Sequence, residues 1–387
     1  MNGFSKEIMQ RVEKNDVTLT KLEMQSNGFE INRFCTINKN AFSRLGSFIS
    51  ENTNIKHIDI RSGGVQIRSG HDKLEVTNCA FYEGLKRNSY ISKVTLRCAN
   101  DILVGGAFHE VLKAYQENNE YITYLEIIDA DLQNGGEYVI AETLQRCANI
   151  KGLFINRWHP ASRRQLLQPL VSTIRGHSSL ENLSLENYLI GNTVEYKVLA
   201  TLLDDPNSNL QCLNLYRNSI NKEGLSTIAN SLVNNTKLSK LYLTVNSAYQ
   251  NDAGDIFSAL LCNTSNINSI HLSNHTINTL WFGEYTQLSP QLVSLLQMNK
   301  ERNKNHVAIL KILKCHPNID MEPLYAWDSK DNQTLKSLLY AIDWFERAIK
   351  IVDWRDGDNY KYHVEEKKLT AIYQFALDMP LLFVPST

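Results

Sequence analysis

Along most of the chain, aliphatic residues recur in sets of three with the spacing apolar-x-x-apolar-x-apolar, and mainly polar residues fill the positions between. The clearest copy is Leu210, Leu213 and Leu215 followed by Asn218, which reads Leu-x-x-Leu-x-Leu-x-x-Asn. Leu238, Leu241, Leu243 and Asn246 repeat it, as do Leu19, Leu22, Met24 and Asn27 far upstream. Degenerate copies are Ile55, Ile58, Ile60; Ile91, Val94, Leu96; Ile122, Leu125, Ile127; Ile150, Leu153, Ile155; Leu180, Leu183, Leu185; and Ile267, Ile270, Leu272. The pattern predicts nine short strands, each burying one face. Their first residues, 19, 55, 91, 122, 150, 180, 210, 238 and 267, are separated by steps of 36, 36, 31, 28, 30, 30, 28 and 29. A period of this size marks a repeat architecture, and the two long early steps predict extra loop or helix there.

Between the strands runs a second period. Apolar residues at i, i+3, i+4 and i+7 mark amphipathic helices. The stripes are Phe108, Val111, Leu112, Tyr115; Leu167, Leu170, Val171, Ile174; Tyr196, Leu199, Ala200, Leu203; and Leu225, Ile228, Ala229, Leu232. Each ends six or seven positions before the next strand set. One strand-plus-helix unit cannot bury its apolar face alone, but a stack can. The chain is therefore expected to form an α/β solenoid with a parallel sheet on its inner face and helices behind. Asn at the ninth motif position, which bonds neighbouring loop backbone, stands at Asn27, Asn218 and Asn246. Gly63, Ala99, Ala130, Trp158, Tyr188 and His275 replace it elsewhere, so those loops must satisfy their backbone differently.

Over about residues 4–276 this motif resembles the leucine-rich repeats of the ribonuclease-inhibitor kind. The degenerate Ile-rich copies and the helical tail are similar to large uncharacterised leucine-rich repeat families of single-celled algae. The resemblance implies a right-handed α/β horseshoe with a concave parallel sheet and convex helices. It also implies a scaffold or adaptor that binds a protein or peptide on the concave strand face. Because the family includes an activator of a small GTPase, regulation of such a GTPase is the alternative that it implies.

The ends depart from the repeat. Phe4 to Val12 reads as the helical half of a unit, so residues 1–16 are expected to form an N-terminal capping helix. The array then covers 17–280. Helices are predicted at Pro290–Glu301, Val307–Cys315, Leu335–Val352 and Glu365–Met379, with Pro317 and Pro323 between the second and third. Residues 281–387 thus form an α-helical C-terminal cap or a small interaction domain.

The third, fifth and seventh motif positions face outward from the strands. The first repeats place charges of both signs there, including His57, Asp59, Arg61 and, in the fourth repeat, Glu126. Tyr124, Phe154, Tyr216 and Tyr242 follow as an aromatic strip, and His271 stands on the ninth predicted strand between Ser269 and Ser273. Aromatic side chains bury large area with few rotors lost, which makes them candidate contact residues for a partner.

Catalysis would need a convergent constellation. His57, Asp59 and Arg61 share one strand face, and a hydrolase would need a pocket joining them to a hydroxyl or to a thiol such as Cys98 or Cys212. There is no His-Glu-x-x-His and no Gly-x-x-x-x-Gly-Lys. His271 and His275 are four apart but lack the intervening Glu. The reading is therefore a non-enzyme with no cofactor and no metal. With 40 basic and 41 acidic residues the net charge is −1, without the basic excess of a dedicated nucleic-acid binder, so no nucleic acid is expected as partner. Met1 to Asp16 has no apolar run for a signal peptide, and no window has transmembrane length, so no membrane is expected either. The seven cysteines form no Cys-x-x-Cys and read as free thiols of a cytoplasmic protein.

Overall fold

The computed structural model describes residues 6–25, 39–62, 80–98, 107–117, 121–128, 136–156, 167–188, 190–265, 267–284 and 286–315. Nine strands form one sheet in chain order. They are β1 Lys21–Gln25, β2 His57–Ser62, β3 Lys93–Cys98, β4 Tyr124–Ile128, β5 Gly152–Asn156, β6 Asn182–Glu186, β7 Cys212–Ile220, β8 Lys240–Val245 and β9 Thr279–Trp281. Pairing from β1 to β8 is parallel at every step. Parallel neighbours need a crossover between them, and helices supply it. Helix α1 Lys6–Glu13 precedes β1. Then α2 Lys39–Glu51, α3 Ala80–Arg87, α4 Ala107–Glu117, α5 Gly136–Arg146, α6 Leu167–Arg175, α7 Thr193–Leu203 and α8 Lys222–Ser231 precede β2 to β8 in turn. This is an α/β solenoid.

The register follows from the apolar sets. Leu183 lies opposite Leu213, and Leu213 opposite Leu241. The whole fourth-position row, from Leu22 through Ile58, Val94, Leu125, Leu153, Leu183 and Leu213 to Leu241, is at most 1 % exposed. Each such side chain contributes about 2 kcal/mol of burial. The other face is left open: in β4, Leu125 and Ile127 are buried, whereas Tyr124, Glu126 and Ile128 are half-exposed. The helix stripes complete the core. Leu167, Leu170, Val171 and Ile174 of α6, and Tyr196, Leu199 and Leu203 of α7, are buried. Helices α2 and α3 approach most closely at a pair of glycines, where a Cβ on Gly84 would run into the Gly46 carbonyl. Asn192 begins α7 by accepting from the N–H groups of Val194 and Glu195, and Glu195 reaches back to the Gly191 N–H.

A helix leaves its last carbonyls without partners. In several repeats a side chain three residues before the strand set meets them. Asn52 Nδ2 donates to Val12 O at 3.2 Å, and its Oδ1 accepts from Asn54 and Ile55. Asn88 repeats this one unit on, donating to Ile49 O and Asn52 O and accepting from Tyr90 and Ile91. Cys147 Sγ donates to Tyr115 O, and His177 Nε2 meets Cys147 O. The column resumes at Asn274, which donates to Leu232 O and Asn235 O and accepts from Thr276 and Ile277. The ninth-position asparagines behave unequally. Asn218 is buried, donating to Leu185 O and Leu215 O and accepting from Ile190. Asn246 is exposed and accepts from Ala248 at the start of the 3-10 turn Ser247–Tyr249. Asn27, Gly63, Ala99, Ala130, Trp158 and part of each of the two long early steps lie outside the described residues.

The ninth strand is displaced from its expected position. Ile267–His271 is a short helix, and Leu272 is 67 % exposed. The strand instead follows Asn274: Ile277, Leu280 and Phe282 are buried and repeat the apolar-x-x-apolar-x-apolar spacing, 39 residues after Leu238 (277 − 238). The spacing i, i+3 suits one helix face as well as a strand, and Phe at the sixth position hid the true copy. The strand also carries the sheet to Trp281, beyond the expected end of the array at 280.

The chain divides into two compact units. The first comprises Met1–Ser231, Lys237–Gln250 and Leu280–Gln287 and carries the strand face. The second comprises Leu232–Thr236, Asn251–Thr279 and Leu288–Thr387. In it α9 Gln250–Leu261, α10 Ile267–His271, α11 Pro290–Met298 and α12 Lys304–Cys315 bury Phe257, Leu261, Ile270, Leu292, Leu295, Val307 and Ile312. Ser289 caps α11 ahead of Pro290. The helices predicted at Leu335–Val352 and Glu365–Met379 lie outside the described residues.

Replacing Asn88 by Ala strands two carbonyls and two N–H groups, and should cost about 3 kcal/mol in a urea unfolding experiment. Asn207 occupies the same motif position but is exposed, and Asn207→Ala should stay within about 0.5 kcal/mol. Equal losses for the two variants would refute the capping column.

Candidate binding surface

On a twisted parallel sheet, outward side chains of neighbouring strands meet along a diagonal, and the amino-terminal strands use this to pair their charges. Asp59 of β2 is fully buried between Lys21 Nζ of β1 at 3.2 Å and Arg97 Nε of β3 at 3.1 Å. Burial pushes its carboxyl up, but Arg97 and Lys21 outweigh that and hold it below the usual carboxylate range. Lys93 Nζ lies 3.3 Å from Glu126 Oε2. The charges expected to face a ligand are thus largely satisfied by one another. Arg61 continues β2, but its side chain lies outside the described part of the structure.

His57 does meet a hydroxyl: its Nε2 is 2.9 Å from Thr95 Oγ1. The direction of the bonds is wrong for an activated nucleophile. Thr95 Oγ1 donates its proton to Glu126 Oε2 at 2.8 Å, so the imidazole N–H donates to Thr95 rather than accepting from it. Thr95 is also fully buried. Burial, then Lys93 and Lys21, hold His57 below its ordinary pKa, so the ring is neutral at pH 7. Cys212 is pushed up by burial, against the reactive direction.

The aromatic residues form two groups rather than one strip, because β6 places Asn182 and Ser184 between them. Tyr124 and Phe154 close over Gly152, where any Cβ would strike both rings. The second group is larger. Tyr216 and Trp281 make an edge contact with ring centroids 5.1 Å apart, spanning β8. Tyr242, half-buried, belongs to that intervening strand. Tyr216 Oη donates to Glu284 Oε1 at 3.3 Å, and the Arg217 guanidinium lies 5.1 Å from the Tyr216 ring centroid. A register shift in β7 between Leu215 and Ile220 re-aims this segment, and Arg217 sits at φ 58 with its N–H on Thr244 Oγ1. Glu186, raised by burial and partly offset by Arg217, borders the group. Trp281 was hidden from the sequence reading by the misplaced ninth strand; Asn274-x-x-Ile277, matching Asn52-x-x-Ile55 and Asn88-x-x-Ile91, is the signal that places it.

His271 leaves the surface altogether. It lies on α10 rather than on a strand, and burial lowers its pKa. Its carbonyl accepts from His275 Nε2 at 2.9 Å, which fixes that ring's tautomer and leaves Nδ1 to accept from Lys311 Nζ at 3.0 Å. Lys311 is fully buried and also donates to Leu261 O and Asn274 O. Burial brings its amine down to about 7 and His275, next to it, to about 3.

Among the described residues no group of three His, Cys, Asp or Glu side chains gathers as a metal site would, and no helix is long and apolar enough to cross a membrane. No protein-family model matches the chain, and no curated protein matches it.

Because the folded pKa of Asp59 lies below its unfolded value near 3.9, its stabilisation is complete above that pH and is lost as pH falls through the folded value. Wild type and Asp59→Asn should therefore converge in unfolding free energy as pH falls from 5 to 2. A constant gap over that range would show that Lys21 and Arg97 do not hold the carboxylate.

Proposed function

We propose that this chain is a leucine-rich repeat protein of the ribonuclease-inhibitor kind that binds a protein or peptide on its strand face, without catalysis. The half-exposed Tyr216–Trp281 pair, with Tyr242 on the strand between, carries this reading. Rings fixed on a sheet give a partner large contact area without an ordering cost, and Arg217 and Glu284 supply polar contacts at their edge. The amino-terminal strands offer less, since Asp59 is buried and the ions around it are already paired. A hydrolase finds no support in the His57–Thr95–Glu126 bonds, which run away from an attacking hydroxyl.

Affinity purification with mass spectrometry, followed by titration of each recovered partner as a purified protein, tests the proposal. The double variant Tyr216→Ala, Trp281→Ala should bind about 30-fold more weakly or worse, as loss of one hot-spot residue alone implies. Tyr90→Ala, which removes an exposed ring that belongs to no strand, should bind as wild type. Partners that survive the double variant but are lost when the chain is truncated after Cys315 would place binding in residues 316–387 and refute the strand-face site.

A further inference from the structure

Cys262 and Cys315 lie 53 residues apart in the chain, yet their sulfurs are 3.5 Å apart. Cys262 follows the last turn of α9, and Cys315 is the last residue of α12, both within the second unit. Their surroundings differ. Cys262 is buried, while Cys315 is half-exposed. The backbones on both sides are fixed: Leu261, Ala308 and Ile312 are at most 1 % exposed, and Lys311 Nζ holds the Leu261 carbonyl, one peptide from Cys262, at 2.6 Å. A disulfide needs the sulfurs about 2.05 Å apart, so closure brings them roughly 1.5 Å nearer than they already lie. Cys147 and Cys212 are built differently. Cys147 Sγ is engaged with Tyr115 O, and neither has a sulfur within bonding reach among the described residues.

We propose that Cys262 and Cys315 form a reversible disulfide, with Cys315 as the entry thiol and Cys262 as the resolving one, closed by a low-molecular-weight disulfide such as glutathione disulfide. The half-exposed sulfur meets the oxidant first. The Cys315 thiolate attacks one glutathione sulfur, the glutathione S–S bond breaks, and the first glutathione leaves as thiolate. The Cys262 sulfur then attacks Cys315 Sγ, the protein–glutathione bond breaks, and the second glutathione leaves. Two protein thiols are oxidised, one glutathione disulfide is reduced to two glutathione thiols, and the two protons of the cysteines end on them. Burial, together with the neighbouring sulfur, pushes Cys262 up to about 12, against the reactive direction, so its attack relies on Cys315 Sγ already lying beside it. The bond fastens the chain entering residues 316–387 to the turn after α9. This inference is independent of the strand-face proposal.

The test uses the full chain, reduced and then exposed to glutathione disulfide, alkylated, digested without reductant and mapped by mass spectrometry. Wild type should yield a Cys262–Cys315 cross-linked peptide that dithiothreitol removes. Cys262→Ser should stop at a stable glutathione adduct on Cys315, and Cys315→Ser should give neither product. The idea is overturned if wild type retains glutathione on Cys315 with Cys262 still alkylatable, if both thiols alkylate at every oxidant ratio, or if the cross-link joins Cys147 or Cys212. The wild-type map alone decides these outcomes, so a variant that folds poorly does not spare the proposal.

Discussion

Stacking strand-plus-helix units confronts the chain with a recurring electrostatic problem: every helix ends in carbonyls that have no partner in their own unit. In several repeats the side chain three residues ahead of the strand solves it by reaching back one unit. Asn52, Asn88 and Asn274 do so with an amide that donates to carbonyls of the preceding unit and accepts from the next turn's N–H groups. That double engagement ties the end of one helix to the start of the next strand. The strand register, and with it the buried fourth-position row, follows from where those turns are pinned.

With helices covering one side of the sheet, side chains on the other side are free of packing duty and can be spent on polar or aromatic groupings. The two ends of the strand face spend them differently. From β1 to β4, Lys21, Arg97 and Lys93 find counterions on neighbouring strands, and the buried Asp59 acts as the hub. Such a face is rigid and electrically quiet, because ions satisfied within the sheet have little left for a partner. From β7 to β9 the same positions hold rings and only a few charges, and these lie at the margin.

Much of this was legible in the residues. The first eight strands, the parallel register of Leu183, Leu213 and Leu241, and the stripes of α6 and α7 all follow from periods of two and 3.6 residues held in phase. What was not legible came from outside periodicity. Ile267, Ile270 and Leu272 satisfy the aliphatic spacing, but the first two lie on a helix and Leu272 follows it exposed, because Asn274, not they, sits where the capping column needs it. That single misplacement removed Trp281 from view and put His271 on the wrong element. The pairing of Asp59 with Lys21 and Arg97 depends on sheet twist, and the approach of Cys262 to Cys315 depends on helix packing; neither leaves a spacing motif.

The backbone at Arg217 bears on which part of the strand face matters. Asn187 and Arg217 occupy the same motif position in successive repeats, and both adopt left-handed conformations, φ 55 and φ 58. Asn enters that region easily, whereas a longer side chain pays roughly 1 kcal/mol or more. The hydrogen bond from the Arg217 N–H to Thr244 is made by the backbone and would survive a change to Asn or Gly. Arginine adds a guanidinium over the Tyr216 ring, a contact worth about 0.5–1 kcal/mol at an exposed site, and a charge attracted by Glu186 and Glu284. These interactions act against the strain of the left-handed backbone. Left-handed strain at a long side chain makes this segment the one to test first, and it lies beside the Tyr216–Trp281 pair.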